Sequence, residues 1–420
     1  MQSQITTLKN GLRIITSNFP QLESVSLGIW VKTGSACETP ETNGISHFLE
    51  HMSFKGTKTR TALQISEEIE DAGGQSNAYT AREFTAYYAK MLKGDLELAL
   101  DVLADSLCNS TFPEEEIKRE RDVVIQEIKQ TVDSPDDIIF DYFQEAAFPN
   151  QAIGRSILGT KQNVRSFGRE TLQNYLRNNY AAENMVVCAV GNVEHGKFVK
   201  MVEKRLGGIQ PKTNFTQESQ IYVGGYSSEA RPIEQAHMVL GFRGLPYKTE
   251  DYYTCVIMSS LFGGGMTSRL FQEVREKRGL AYTVYSFTAA HTQNGVFAIY
   301  AGTDAKDVKN LMPVITTEIN KLRTDLVTEK ELQRAKTQLK ANMLMALESP
   351  SATAEMLARQ MLIYNRIIPV KEMVERIENV SREGILTLAQ KIFATNPTYN
   401  LVGAIENHLE YDKLKQLLNL

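Results

Sequence analysis

The sequence lacks the features that mark a secreted, membrane-spanning or nucleic-acid-binding chain. Only four of its 420 residues are cysteines, none in C-x-x-C spacing, so neither a disulfide framework nor a thiolate metal site is predicted. No run approaches about 18 consecutive apolar residues, so no membrane-spanning helix is expected. A formal net charge of −4 leaves no general basic surface for nucleic acid.

The first residues also lack a targeting pattern. The stretch MQSQITTLKNGLRIITSN has neither the apolar core of a secretory signal nor the Arg- and Ser-rich composition of a transit peptide. It predicts instead a hairpin around the turn Asn10-Gly11. Together with the sparse cysteines, this favours a reducing, cytoplasmic location.

What the chain does have is length and an ordinary globular composition. With 420 residues, 42% hydrophobic and 23% charged, it is too long for one hydrophobic core, so two or more domains are expected.

The motif with the clearest chemistry is H-F-L-E-H, which contains His47, Glu50 and His51. Two imidazoles four residues apart lie on one face of a helix, and Glu50 is close to that face. Imidazole is the commonest zinc ligand, and a carboxylate beside the metal can accept a proton from water. The alternative is a solvated helix on which the histidine pair is accidental.

The elements around this motif predict an α+β sandwich. A β-rich strand precedes the motif, and Gly73-Gly74 ends a helix that follows it. A hairpin, two further helices and a buried closing strand complete a sheet covered by helices. The predicted strand, hairpin and closing strand are at residues 24–33, 77–92 and 183–193.

The second of those two helices starts at Pro113, followed by three glutamates, which suit the positive end of a helix dipole. Glu120 and Glu127 are two turns apart on it, with Val123 and Val124 between them. A carboxylate beside valines is unusual on a solvated face, but an exposed Glu in a charged helix is the simpler interpretation.

The second half of the chain repeats the order of elements in the first half. We predict domains at residues 1–207 and 229–420, with a polar, glycine-rich linker at 208–228. An offset of 215 residues aligns the glutamate-rich helix with residues 328–345, placing Ala335 opposite Glu120 and Asn342 opposite Glu127. No second H-x-x-E-H occurs, so a duplication with metal chemistry in one copy is inferred.

Several segments resemble a known family. HFLEHMSFKGT, GGQSNAYTAREFTAYYAK, NSTFPEEEIKRERDVVIQEI and FDYF are similar to segments of the pitrilysin-type inverted zinc metallopeptidases. Within that family they resemble the β-subunit of the mitochondrial processing peptidase and its bacterial homologues. The resemblance covers most of residues 1–195 and implies two homologous α/β-sandwich domains, each like half of a pitrilysin-type clam.

The resemblance also implies the metal site. One Zn²⁺ per chain would be bound by His47, His51 and Glu127, which stands 76 residues after His51. Glu50 would be the general base. Glu120 would be a further functional glutamate of the catalytic site, orienting a ligand or its helix.

Substrate-binding positions in the first half follow by the same resemblance. The strand that starts at the N-A-Y-T segment would pair with the peptide backbone, with Asn77 and Tyr79 at contact positions. Phe54 matches an aromatic residue that lines the pocket for the residue after the cut.

Asp137 and Asp141 match acidic positions that bind arginine in presequence substrates. The family often has Glu or Gln where Asp137 stands, which implies a basic pocket of altered shape. Residues 114–145 contain 11 acidic against 4 basic residues, a local net charge of −7. That acidity favours basic peptides, although a solvated helix face would have the same composition.

The second half carries Arg275 and Tyr282, seven residues apart, which match a pair that reaches the substrate carbonyl. Family members with four domains form the whole chamber in one chain. With two domains here, a homodimer, or a heterodimer with a non-catalytic homologue, would supply Arg275 and Tyr282 in trans. Residues 263–265 are three glycines, either a helix-ending turn or a flexible glycine loop.

The function expected from the sequence is a zinc endopeptidase that hydrolyses peptides or unfolded segments, with a preference for basic, arginine-containing ones. One alternative is a non-catalytic structural subunit like the core proteins of cytochrome reductase. Another is the catalytic subunit of an obligate heterodimer. The structural-subunit alternative predicts an eroded motif, whereas His47, Glu50, His51 and Glu127 are all present.

Overall fold

The computed structural model describes residues 3–213 and 218–420. In this part of the chain, strands and helices follow the order that the hydrophobic periodicity predicts. The strands are β1 (Ser3–Thr7), β2 (Arg13–Asn18), β3 (Ser24–Val31), β4 (Gln75–Thr80), β5 (Thr85–Leu92), β6 (Met185–Gly191), β7 (Gly225–Ala230), β8 (Gln235–Arg243), β9 (Thr283–Ala290), β10 (Gly295–Asp304) and β11 (Thr398–Gly403). The longer helices are α1 (Ile45–Ser53), α2 (Ala62–Asp71), α3 (Leu96–Cys108), α4 (Glu114–Asp133), α5 (Pro135–Ala147), α6 (Lys161–Ser166), α7 (Arg169–Asn179), α8 (His195–Leu206), α9 (Tyr252–Gly263), α10 (Val308–Thr324), α11 (Glu329–Ala346), α12 (Pro350–Tyr364), α13 (Val370–Glu378), α14 (Arg382–Ile392) and α15 (Tyr411–Leu417).

The chain divides into two compact units, and neither is a single continuous segment. Unit 1 consists of Met1–Lys129, Ser156–Glu218 and Leu344–Ile368, and unit 2 of Gln130–Arg155, Ser219–Met343 and Pro369–Leu420. Each unit therefore contains one helix-bearing segment from the opposite half of the sequence. The predicted boundaries at 207 and 229 do not anticipate this exchange.

Each unit is built on one mixed sheet. The strand order in unit 1 is β1-β2-β6-β3-β5-β4, in which only β2 and β6 pair in parallel. In unit 2 it is β7-β11-β8-β10-β9, in which only β7 and β11 pair in parallel. The second order repeats the first from β2 onward, and the predicted fold class of two homologous α+β sandwiches is confirmed.

The core of unit 1 lies between one face of its sheet and the helices on that face, including α1, which carries the motif. Leu27 and Ile29 of β3 point into the same apolar cluster as Phe48, Leu49 and Met52 of α1. Each of these side chains is at most 1% exposed. Burying a side chain of this size stabilises the fold by about 1.5–3 kcal/mol, so these contacts hold α1 against the sheet.

The opposite face of the unit 1 sheet is covered by α12, from the second half of the chain. Side chains alternate along β3, so Ser26 points away from the α1 side. Its hydroxyl lies 2.8 Å from the hydroxyl of Ser351 in α12. Arg13 of β2 donates to the carbonyl of Met361 at 3.3 Å.

In unit 2 the corresponding helix is α5, from the first half. It packs on β8 where Gly241 leaves room for the ring of Phe143. A Cβ at residue 241 would lie 2.4 Å from that ring, so only glycine allows this approach.

Part of the predicted linker is structured. Residues 214–217 lie outside the described residues. The last four residues of the predicted 208–228 range belong to β7, which starts at Gly225. Helix α9 ends at Gly263, as the helix-ending alternative for the three glycines predicts.

Candidate metal centre

The two motif histidines lie side by side on α1. Their ring centroids are 4.7 Å apart. Both rings are partly buried, because the opposite face of α1 is the one that packs into the core. The i, i+4 spacing therefore has the consequence expected from helix geometry.

A carboxylate from α4 completes a triad. Oε2 of Glu127 lies 3.6 Å from Nε2 of His47 and 3.5 Å from Nε2 of His51. One ligand atom from each residue falls within 4.8 Å of the others, the only such group of His, Cys, Asp or Glu among the described residues. Glu127 is held there because α4 packs on its apolar stripe, which includes the buried Val124 and Ile128.

The donor set fits zinc, and so do the two separations between Glu127 and the histidines. Tetrahedral Zn²⁺ with bonds of about 2.0–2.2 Å keeps its ligand atoms roughly 3.3–3.6 Å apart. The two nitrogen-to-oxygen separations, 3.5 and 3.6 Å, lie in that range. Two imidazoles and one carboxylate are also a ligand set of catalytic zinc sites, which leave a fourth position for water or substrate.

Glu120 binds the far side of the His51 ring. Its Oε2 lies 2.9 Å from His51 Nδ1, and its Oε1 accepts from Lys55 Nζ at 2.8 Å. Glu120 is 5% exposed. A proton on Nδ1 shared with Glu120 leaves the Nε2 lone pair free to face Glu127, which fixes the tautomer that a metal ligand needs. Nδ1 of His47 is buried and has no such partner among the described residues.

Glu50 is held by a residue of the adjacent edge strand. Oε2 of Glu50 accepts a hydrogen bond of 2.6 Å from the hydroxyl of Thr80 in β4. Burial raises the pKa of Glu50, and the hydrogen bond from Thr80 opposes that rise. A carboxyl with a raised pKa can take up and release a proton closer to neutral pH, as a general base and acid must.

The two histidines differ electrostatically. Burial and, to a smaller extent, the charge of the neighbouring His51 lower the pKa of His47 to about 4. Burial also disfavours a charge on His51, but the hydrogen bond to Glu120 and the charge of Glu127 outweigh it, so the pKa of His51 lies above its ordinary value.

Lys55 and Thr80 are functional neighbours that the sequence did not reveal. Lys55 stands four residues after His51, which was the available signal for a contact with the same glutamate. Thr80 is in the N-A-Y-T segment, but its contact with Glu50 depends on how β4 lies against α1.

The remaining predicted residues of unit 1 lie at the end of α1 and on the edge strand β4. Phe54 directly follows α1, and its ring centroid is 6.4 Å from that of Tyr87. Asn77 is exposed on β4, the edge strand of the sheet. The hydroxyl of Tyr79 donates to Glu355 of α12 at 2.9 Å.

The alternation of side chains along β4 places Asn77 and Tyr79 on the face of the sheet opposite to Glu50. Ala78 is buried in the core and Thr80 contacts Glu50, so both point to the α1 side of the sheet. Asn77 and Tyr79 therefore point to the other face. The groups of β4 that remain available near Glu50 are the Thr80 hydroxyl and the free backbone edge of the strand.

The other predicted substrate residues are in unit 2. Asp137 is exposed and Asp141 is partly buried on α5. The guanidinium of Arg275 lies 4.8 Å from the ring centroid of Tyr282, which is 79% exposed. These two residues line a cavity of about 420 Å³ together with Asp136, which the sequence did not single out.

Comparison with known proteins identifies the family. The sequence model of the insulinase family, peptidase family M16, matches residues 13–161, and that of the peptidase M16 inactive domain matches residues 166–339. The chain belongs to peptidase family M16. Its resemblance to the pitrilysin-type zinc peptidases is thereby confirmed.

Relatives cover nearly all of this M16 chain. A protein named as a zinc protease from Rickettsia felis is 42% identical, with 95% of this chain and 97% of the relative covered. A protein named as the uncharacterized zinc protease YmxG of Bacillus subtilis is 39% identical, with 96% and 98% covered. The mitochondrial-processing peptidase subunit beta of Neurospora crassa is 34% identical, with 99% and 90% covered.

A solved structure shows the same fold. The crystal structure of a protease from Helicobacter pylori superposes with a TM-score of 0.90 at 23% identity, covering 96% of this chain and 99% of that one.

The M16 chain is accordingly a zinc protease, and Zn²⁺ is its cofactor. Within the described part of the chain, no helix combines the length and apolarity that crossing a bilayer requires.

Proposed function

We propose that this M16 protease is an endopeptidase that cleaves peptides or unfolded segments, preferentially basic, arginine-containing ones, in a chamber formed by two subunits. The observation that carries the peptidase chemistry is the triad of His47, His51 and Glu127, with Glu50 near enough to interact electrostatically with His51 and Glu127. Residues 1–207 would carry catalysis, and residues 229–420 would be a degenerate repeat that contributes substrate contacts.

In this proposal His47, His51 and Glu127 hold one zinc ion per chain. Zinc bound there would supply Lewis-acid chemistry, lowering the pKa of a water molecule and polarising the scissile carbonyl. Glu120 keeps the His51 ring in the required tautomer and orientation through its hydrogen bond to Nδ1.

Glu50 moves the proton. Its Oε2, oriented by Thr80, accepts a proton from the attacking water and passes it to the leaving amine nitrogen. Its raised pKa supports both halves of this transfer, since the protonated carboxyl then survives long enough to act as an acid.

The free edge of β4 is proposed to bind the peptide backbone. It has no further strand partner among the described residues and ends at Thr80, the residue that contacts Glu50. Adding an extended peptide to an exposed edge satisfies backbone hydrogen bonds independently of sequence. Asn77 and Tyr79 are proposed contact positions along this edge, and Phe54 lines the pocket for the residue after the cut.

Basic side chains of the substrate are proposed to bind Asp137 and Asp141, one helical turn apart on α5. The stacked Arg275 and Tyr282 would bind the substrate carbonyl. Both pairs lie in unit 2, which lacks the triad.

Assembly is proposed to be a homodimer, with a heterodimer containing a non-catalytic homologue as the alternative. The N. crassa relative is itself named as a subunit. A reducing, cytoplasmic location is proposed because all four cysteines are free thiols.

The decisive experiment for the chemistry is Glu50→Gln. This variant should bind one zinc ion per chain, because Glu50 is not in the triad, and should lose between about 10²- and 10⁴-fold in kcat. Metal analysis and turnover of an arginine-containing peptide measure both. Retained turnover would rule out Glu50 as the proton carrier. Digestion of a peptide library with mapping of the cut sites tests the preference for arginine.

The proposal for assembly is tested by mixing inactive variants. If Arg275 acts in trans, Glu50→Gln and Arg275→Ala chains should recover part of the wild-type rate after subunit exchange. Sizing shows whether the exchanged species are dimers. Dimers that exchange without any recovery would contradict the trans arrangement.

A further inference from the structure

The helix that carries the metal-binding motif begins without a side-chain cap of its own. The residue at its start is Gly44, with φ of +97° and no side chain to accept the free N–H groups of the first turn. A Cβ at residue 44 would lie 2.7 Å from the carbonyl oxygen of Leu158 and 2.8 Å from the Cα of Gly159. The usual Ser, Thr, Asp or Asn cap is therefore sterically excluded at this position.

A glutamate six residues earlier takes over that role. Oε2 of Glu38 accepts hydrogen bonds from the backbone N–H of Gly44 at 2.8 Å and from Nδ2 of Asn43 at 3.0 Å. Oε1 accepts from the backbone N–H of Ser46 at 2.8 Å. Oε2 thus binds the N-cap residue and Oε1 the first turn of α1, where the helix dipole favours negative charge.

Glu38 is unusual in being almost completely buried. It is 4% exposed, and carboxylates are rarely found at that depth unless their oxygens are satisfied. Burial raises the pKa of Glu38, and the hydrogen bonds from Gly44, Ser46 and Asn43 oppose that rise.

The surroundings anchor the cap to the rest of unit 1. Nδ2 of Asn43 also donates to the carbonyl of Ser156 at 2.9 Å. Nδ2 of Asn163 donates to the carbonyl of Asn43 at 3.1 Å. The hydroxyl of Ser46 lies 2.7 Å from that of Tyr175. The first turn of α1 is therefore tied to α6 and α7 by several short polar contacts.

We propose that Glu38 is a positioning residue of the active site, whose buried carboxylate sets the rotation of α1 and so aligns His47, Glu50 and His51 with Glu127. This inference rests on the proposed metal site. His47 directly follows Ser46, whose N–H Glu38 binds. An atom about 6 Å from a helix axis moves about 1 Å when the helix turns by about 10°, which exceeds the tolerance of a preorganised site.

The consequence should appear in metal affinity and kcat more than in folding. Phe48, Leu49 and Met52 keep α1 packed on the core without Glu38, so the helix should form but with a looser rotation. A misplacement of about 1 Å can cost about 10²-fold in rate.

The test compares Glu38→Gln with Glu318→Gln, a matched control. Glu318 is also 4% exposed, but it lies on α10 in unit 2 and bonds to Lys321. Four properties are measured for both variants. They are the zinc Kd by chelator competition, the visible absorption bands of the Co²⁺-substituted protein, the Tm of the zinc-free protein, and the kinetic constants kcat and KM. Glu38→Gln should weaken zinc binding about tenfold, alter the Co²⁺ bands and lower kcat 10- to 100-fold, with KM within threefold of wild type.

The control should keep the wild-type Kd and Co²⁺ bands even if its Tm falls further. Zinc Kd, Co²⁺ bands and kcat all unchanged in a folded Glu38→Gln protein would overturn the proposal, as would equal losses in both variants. If Glu38→Gln does not fold, Asn43→Ala removes one donor to the same carboxylate and should give the same pattern at a smaller size; a wild-type Kd there would also overturn it. Zinc that survives Glu127→Ala would instead refute the proposed metal site.

Discussion

Replacing Glu120 with glutamine tests how much the partner of a metal-binding histidine contributes. Glu120 lies between His51 Nδ1 at 2.9 Å and Lys55 Nζ at 2.8 Å, and it is 5% exposed. Glutamine keeps the volume of the side chain but removes its charge and one of its two strong acceptors. The His51 ring then loses the negatively charged acceptor that holds its proton on Nδ1, so the orientation and tautomer that present Nε2 are less strongly favoured.

The magnitude follows from comparable sites. Losing a hydrogen-bonding partner of a metal ligand costs about 10- to 100-fold in metal affinity, or about 1.4–2.7 kcal/mol. The upper part of this range is expected here, because the hydrogen bond is short, charge-assisted and shielded from water. Lys55 is partly exposed, so water can solvate its ammonium group when residue 120 is a neutral glutamine. The loss of binding energy should therefore come mainly from the weakened contact with His51.

The assay is zinc competition with a chelator of known affinity, followed by kcat and KM on a peptide substrate. Glu115→Gln is the control, since Glu115 is an exposed residue of the same helix. Zinc Kd should rise 10- to 100-fold for Glu120→Gln and stay at the wild-type value for the control. With saturating zinc, kcat should recover most of its loss. Equal zinc Kd values for the two variants would refute the reasoning that Glu120 orients His51.

Two further predictions concern the triad and the stability of unit 2. Glu127→Ala should lose stoichiometric zinc, and metal analysis still showing one zinc ion per chain would contradict its role as a ligand. Although burial opposes its charge, hydrogen bonds from Arg269 and Thr328 lower the pKa of Glu331 to about 2. The ordinary pKa of a glutamate is 4.5, so the ionised Glu331 stabilises the folded state in full above about pH 4.5. This stabilisation is lost as the pH falls toward 2, and it amounts to at most about 3 kcal/mol. The Tm of wild type should therefore exceed that of Arg269→Ala near neutral pH, and this difference should shrink below pH 4.5; a constant difference would contradict the prediction.

The repeated half shows what the duplication lost. Helix α11 holds the place of α4 in the sequence alignment, and Ala335 and Asn342 stand where the first copy has Glu120 and Glu127. Neither replacement can reproduce a carboxylate's charge. The strand order of unit 2 nevertheless repeats that of unit 1 from β2 onward. Strand order depends on the apolar core, whereas metal chemistry depends on a few side chains, so the second can disappear without the first.

The local features of this protein were determined by the sequence alone. The i, i+4 spacing of His47 and His51 places them on one face of α1, because an α-helix has 3.6 residues per turn. The hairpin at Asn10-Gly11 and the fully buried β6 follow from turn chemistry and a run of β-branched residues. These predictions succeed because their causes lie within a few residues of each other.

Features that join distant segments were decided only by the tertiary structure. The spacing of 76 residues does not itself bring Glu127 to His51; the packing of α4 does, at 3.5 Å. The exchange of α5 and α12 between the units depends on sheet faces that no local pattern identifies. Glu38 carries no sequence signal of a cap, because its position six residues before Gly44 matches no standard capping motif. Its role arises where the folded loop brings a carboxylate to backbone groups that would otherwise be buried without partners.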